Sequence, residues 1–182
     1  AIAIGRKYDT LLEVYFDGQG YAQKDEIAQV RKYHKNPNMW DYFLRTRIAV
    51  DSLEDLLDEK EGNLDKVQML FADMEEREEA WKELEQEGVF ELVGSLQYNI
   101  EINAVGVNKG TGLVNLGKML GIRREEIMAC GDGDNDIAML EEVGFGVAMA
   151  NAEEKVKAVA DYITESNNDE GVAKAIEKFV LK

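Results

Sequence analysis

The sequence predicts an α/β protein in two parts: a mixed α+β domain over residues 1–105 and a doubly wound parallel unit over residues 106–182. Three observations carry this. Strand and helix patterns alternate irregularly up to a half-buried strand in which Tyr98, Ile100 and Ile102 alternate with Asn99, Glu101 and Asn103. From Lys109 onward the rhythm becomes helix, strand, helix, strand, helix, with short turns between. Within that second part an apolar run from Ile127 to Cys130 delivers three carboxylates at a strand-to-helix turn, the usual place for ligand chemistry in an open α/β sheet.

In chain order, Thr10–Phe16 is β-rich and ends at Asp17, Gly18, Gln19 and Gly20, a hairpin-type turn leading into Tyr21. A helix near residues 25–33, a strand near 47–50, a short helix from Ser52, a strand at 67–71, a helix at 75–85 and a strand at Phe90–Val93 follow. Such a mixture suits an antiparallel sheet with helices on one face. Beyond a boundary near Val105, Leu113, Leu116 and Leu120 share one face of a helix that Gly121 stops. Asn151 with Glu154 forms a capping box for a helix through Val156 and Val159, and the last helix is expected to bury Val172, Ile176, Phe179 and Val180.

The chain is acidic, with a formal net charge of −16, which argues against nucleic acid and anionic membranes as partners because both demand clustered Lys and Arg. Much of the acid lies at residues 54–61 and 75–87, where it alternates with core-facing residues and reads as solvated helix faces. At 45% hydrophobic residues the chain is globular, and no apolar run approaches a membrane span. Cys130 is the sole cysteine, so no internal disulfide forms and a cytoplasmic location is the expectation. His34, the sole histidine, lies beside Lys32 and Lys35 and before Pro37, and is expected in a surface loop.

Asp132, Asp134 and Asp136 stand so close that their repulsion needs a cation or basic neighbours to offset it, while Gly131 and Gly133 permit the tight backbone that aims them. Oxygen ligands of this kind suit a hard ion, magnesium or calcium. A calcium loop starting at Asp132 would need Gly at its sixth position and Glu at its twelfth, but those positions hold Ile137 and Val143. Magnesium remains. Lys109, immediately before a helix, stands at the positive end of its dipole, a place that favours a phosphate or carboxylate.

Residues 106–110 (Gly-Val-Asn-Lys-Gly), 131–136 (Gly-Asp-Gly-Asp-Asn-Asp), 146–152 (Gly-Val-Ala-Met-Ala-Asn-Ala) and 168–176 (Asn-Asp-Glu-Gly-Val-Ala-Lys-Ala-Ile) occur in an order that resembles the haloacid dehalogenase superfamily, specifically its Cof-type phosphatases. The resemblance implies that residues 106–182 are the C-terminal half only of a doubly wound, Rossmannoid core, and that residues 1–105 are an inserted α+β cap domain that closes over the site. It further implies a magnesium-dependent phosphohydrolase acting on a small phosphorylated metabolite such as a sugar phosphate. Asp132 would ligate Mg2+ directly, Asp136 would bind it through water or orient Lys109, and Lys109 with Asn135 would hold the phosphate. Asp134 occupies a variable place in that pattern, an exposed turn residue or a metal contact.

Members of the superfamily open with an apolar strand ending in Asp-x-Asp, whose first Asp attacks phosphorus. The nearest echo here is Asp9-Thr10-Leu11-Leu12, where Leu11 stands in place of the second acid. The expectation is therefore that this chain is the carboxy-terminal part of a longer protein, inactive alone. It would be partnered by the nucleophile segment or self-associated with a second copy, since an unpaired sheet edge and apolar helix faces would otherwise be exposed. Two other readings use similar parts: a noncatalytic metal and phosphate binding module, and a phosphomutase.

Overall fold

The computed structural model describes residues 1–60 and 64–181. The chain divides into two compact units, Ala1–Val105 and Gly106–Lys182. The first contains α1 (Ile2–Gly5), β1 (Thr10–Phe16), β2 (Gln19–Gln23), α2 (Lys24–Ile27), α3 (Val30–Tyr33), α4 (Trp40–Thr46), β3 (Ile48–Val50), α5 (Leu53–Glu59), β4 (Leu64–Phe71), α6 (Met74–Glu87), β5 (Phe90–Val93) and β6 (Asn99–Ala104). Its strands form one sheet in the order β3-β2-β1-β4-β6-β5, antiparallel except for the parallel pair β2 and β3.

The β1–β2 hairpin turns through Asp17 and Gly18, both with positive φ (51° and 74°), the backbone of a two-residue Asp-Gly turn whose twist matches the flanking strands. Leu12, Val14 and Phe16 of β1 pack with Val67, Met69 and Phe71 of β4 and Ile100 and Ile102 of β6 under α1, α5 and α6. The opposite face is covered as well. Leu11, Ala22 and Leu70 meet Ile27, Val30, Tyr33 and Phe43, so helices lie on both faces rather than one. The sequence pattern hid this because the expected helix over residues 25–33 breaks at Ala28 and Gln29 into two one-turn pieces, and α4 carries only one buried apolar side chain, Phe43.

His34 is buried in this second layer, not on a surface loop. Its ring packs edge-on against Phe43 and Tyr98, with centroids 4.7 and 5.5 Å away, and its Nδ1 lies 3.2 Å from the Tyr98 hydroxyl. Tertiary contact overrides the polar sequence neighbourhood. Further along the same face Glu13 is fully buried and paired with Arg47, whose Nη2 donates to the Tyr15 hydroxyl at 2.8 Å while that hydroxyl donates to Glu13 Oε2 at 3.1 Å. The guanidinium sits 4.4 Å from the Phe43 ring centroid.

The second unit contains α7 (Lys109–Leu120), β7 (Met128–Gly131), α8 (Ile137–Glu142), β8 (Phe145–Ala148), α9 (Glu154–Lys157), β9 (Tyr162–Ile163) and α10 (Gly171–Phe179). Its strands are parallel, in the order β7-β8-β9, and the register aligns Gly131 with Ala148 and Ala148 with Ile163. Their carboxyl ends therefore lie side by side. Gly121, with φ 73°, ends α7 in the left-handed conformation expected of a glycine stop.

Two expectations for this unit are corrected. The side chain of Asn151 does not cap α9, whose N-cap is Glu153; it bonds elsewhere. In α10 the buried residues are Gly171 and Ala175, whereas Val172, Ile176 and Val180 are exposed, and Phe179 packs edge-on with Phe145 and Tyr162. Likewise Leu116 and Leu120 of α7 are exposed, and the side of that helix carrying Gly110 and Gly117 is buried. Periodicity identifies an apolar face but not whether anything covers it. Among the described residues no helix is long and apolar enough to cross a membrane.

Candidate active site

Three loops leave the carboxyl ends of β7, β8 and β9, and the first carries the acidic turn. Gly131 closes β7; a Cβ there would stand 2.5 Å from Asp136 Cβ, so the strand end must lack a side chain for Asp136 to fold back over it. Neither Gly131 nor Gly133 adopts positive φ, so the first serves by its missing side chain rather than by conformational freedom. Residues 134–136 then form a single 3-10 turn leading directly into α8.

This turn buries Asp136 and points its carboxylate back at the backbone. Oδ2 accepts hydrogen bonds from the amides of Asp132 at 2.9 Å and Gly133 at 3.1 Å, and Oδ1 accepts from Lys109 Nζ at 2.6 Å. Burial alone would push the Asp136 carboxyl up; the Lys109 ammonium and the two amides outweigh it and hold the group below the usual carboxylate value. Lys109 is the first residue of α7, and Asn108 caps that helix by accepting from Thr111 N at 3.0 Å while Thr111 Oγ1 accepts from Asn108 N at 3.1 Å. The Lys109 side chain is half exposed, so its ammonium keeps donors free for a second anion.

The other two aspartates part company. Asp132 is exposed, and its Oδ2 accepts from Asn151 Nδ2 at 3.0 Å. Among the described residues no hydrogen bond reaches its Oδ1. Asp134 is ion-paired with Lys155. Asn135 turns its amide oxygen back over Gly133. Lys109, Asp132 and Asp136 are thus brought together at one strand end, and Asp134 is drawn toward the start of α9.

Among the described residues no three carboxylate, imidazole or thiol groups converge as a complete metal cage. Magnesium does not require one: it keeps several waters and is held through one or two carboxylates together with substrate phosphate, and a single open carboxylate oxygen beside a buried aspartate fits that pattern. Cys130, half-buried on β7, has its thiol pushed up by burial, the opposite of an activated nucleophile. Sequence spacing alone does not place Asn151 and Lys155 in this neighbourhood, although Asn151 lies inside one of the four motifs.

The family model for haloacid dehalogenase-like hydrolases matches residues 2–176. The chain belongs to that family. Its fold is that of these hydrolases, an α/β core with a cap: a haloacid dehalogenase-like hydrolase from Bacillus subtilis superposes with a TM-score of 0.78 at 28% identity, covering 98% of this chain and 68% of that one. Among curated relatives, the Bacillus subtilis 5-amino-6-(5-phospho-D-ribitylamino)uracil phosphatase YcsE is 49% identical over 105 residues, which are 58% of this chain and 42% of that protein. The Methanosarcina mazei phosphoglycolate phosphatase is 46% identical over 87 residues, 48% of this chain and 38% of that protein. The chain spans about two fifths of the length of these relatives.

Proposed function

We propose that this chain supplies the magnesium and phosphate half of a phosphohydrolase site acting on a small phosphorylated metabolite. The observation that carries the reading is the Lys109 to Asp136 contact at 2.6 Å, made beside an exposed Asp132 with one open oxygen. Asp132 would hold Mg2+ directly. Asp136, already committed to Lys109 and two amides, would contact it through water. Lys109 and Asn135 would grip the phosphoryl oxygens, with the N-terminus of α7 adding its dipole. Bound magnesium would neutralise charge developing on those oxygens.

Membership of the family and relatives named for small phosphorylated compounds support this substrate class, and a polyol or sugar phosphate is the class we favour. The attacking carboxylate is assigned to a segment other than residues 1–182. Asp9, the nearest echo of it, is engaged instead by the Tyr33 hydroxyl at 2.7 Å and by Lys32. Such a segment would pair along the side of β7 that β8 leaves uncovered, because β7 ends the sheet order among the described residues.

The test is calorimetric titration of orthophosphate into the chain with and without Mg2+, together with an assay for hydrolysis of an aryl phosphate. We expect Mg2+-dependent phosphate binding that Lys109→Met and Asp132→Asn each remove, with no turnover by the chain alone. Phosphate binding that ignores both Mg2+ and Lys109 would sink the proposal. The engagement of Asp9 also favours a second reading, binding without turnover, which holds if joining an Asp-x-Asp strand segment restores no hydrolysis.

A further inference from the structure

The open carboxylate of Asp132 is not left to find its own orientation. Asn151 Nδ2 donates to its Oδ2 at 3.0 Å, while Asn151 Oδ1 accepts from the backbone N–H of Asn167 at 2.9 Å. A carboxylate only accepts and a backbone N–H only donates, so the two bonds allow the amide a single orientation. Asp132 is exposed, and among the described residues this is the only hydrogen bond its side chain makes.

Asn151 is itself held from behind. Ala150 N donates to Glu165 O at 3.3 Å, and the loop that presents Asn167 is closed by Gly171 N donating to Ser166 O at 3.1 Å. Buried Thr164 donates its hydroxyl to Gly171 O at 2.7 Å. A Cβ at Gly171 would lie 2.0 Å from Glu165 O, and Glu170 adopts φ 59°, so this loop has a shape that few sequences could take. Among the described residues, the hydrogen bonds that link this loop to the Asp132 side chain run through the Asn167 amide and the Asn151 side chain.

We propose that Asn151 is a positioning residue for Asp132, and that the loop at residues 166–171 acts on the metal carboxylate by holding Asn151. This rests on the magnesium reading above. An exposed Asp loses rotamer freedom when it takes a cation, and a partner that selects the binding rotamer in advance removes part of that cost. With Oδ2 bonded to Asn151, Oδ1 would be the oxygen that takes the ion.

The test is Mg2+ affinity of the full chain by isothermal titration calorimetry, with thermal melts recorded in parallel. Asn151→Ala should weaken Mg2+ binding roughly 10- to 100-fold, the usual effect of removing such a partner. Asn167→Pro removes the N–H that Asn151 accepts from and puts a ring carbon in its place, so the Asn151 amide must give up this position; the Asn167 side chain that is lost with it makes no hydrogen bond among the described residues. The substitution sits at the first position of the 3-10 turn Asn167–Asp169, where proline is tolerated, and the preceding Ser166 is already extended (φ −69°, ψ 166°) as a residue before proline must be. It should weaken binding several-fold in the parent and have no effect in the Asn151→Ala background.

Equal affinity of parent and Asn151→Ala, or independent and additive effects of the two substitutions, would overturn the proposal. If Asn151→Ala loses its cooperative melt, Asn167→Pro decides alone: unchanged Mg2+ affinity in that variant overturns it. A parent chain that binds no Mg2+ removes the metal reading and this inference together, whereas a binding parent with an indifferent Asn151 removes only the inference.

Discussion

Lys109 Nζ stands 2.6 Å from Asp136 Oδ1, joining the first turn of α7 to the acidic turn 27 residues later, and the aspartate's other oxygen is taken by two backbone amides. Asp136 is therefore a buried carboxylate with every bond directed inward, while its lysine faces solvent. An asparagine cannot reproduce this, because one side of its amide is a donor that must meet either an ammonium or two N–H groups. Asp136→Asn should destabilise the second unit by about 1–3 kcal/mol in urea titrations.

Asp132 and Asp134 are predicted to differ sharply in the metal response. Asp132→Asn should reduce Mg2+ affinity by roughly tenfold or more, since it removes the charge of a carboxylate whose Oδ1 no described residue bonds. Asp134→Asn should change it little, because Lys155 already occupies that side chain. Comparable losses in calorimetry for both variants would show that Asp134 swings in to ligate.

Two glycines of α7 provide a paired test of packing. A Cβ on Gly110 would lie 2.6 Å from the Ala138 carbonyl oxygen of α8, and that backbone cannot yield without shifting the acidic turn next to it. Gly110→Ala should cost about 1–3 kcal/mol. Gly112, in the same helix, has nothing within 4 Å, and Gly112→Ala should stabilise by about 0.5–1 kcal/mol through helix propensity alone. Thermal melts of the two variants should move in opposite directions.

The first unit should lose stability as pH falls. Burial holds the His34 imidazole below its ordinary value, and the nearby Arg47 charge acts in the same sense. The unfolded chain then takes the proton first. The stabilisation is complete above the unfolded value near 6.5 and is lost as pH drops from there toward the folded value. Glu13 and Glu26, raised by burial, push the other way, so the informative measurement is a difference. His34→Gln should flatten the dependence of melting temperature between neutral pH and about pH 5.

Local chemistry made much of this molecule legible in its sequence. The Asp17-Gly18 turn, the strands Thr10–Phe16 and Phe90–Val93 and the Gly121 stop depend on short-range backbone preference, whereas Asp136 beside Lys109, 27 residues apart, is one of two roles that only the family resemblance implies for it. What stayed hidden depends on groups far apart in the chain. Asn151 followed by Glu154 has the pattern of a capping box, but the competing partners, Asp132 and Asn167, lie 19 and 16 residues away and win its amide. His34 was obscured by polar neighbours in sequence and is enclosed by Phe43 and Tyr98 in space. The spacing along α10 identifies its apolar face, but Val172, Ile176 and Val180 on it are exposed, which spacing cannot tell.

The enclosed Glu13, Arg47 and Tyr15 group has an evolutionary corollary. Losing either ion strands the other in a dry place, at about 3–5 kcal/mol, whereas exchanging both for apolar residues of matching volume can be nearly neutral. Divergence at this patch should thus proceed by coupled replacement, with positions 13 and 47 changing as a unit among distant descendants.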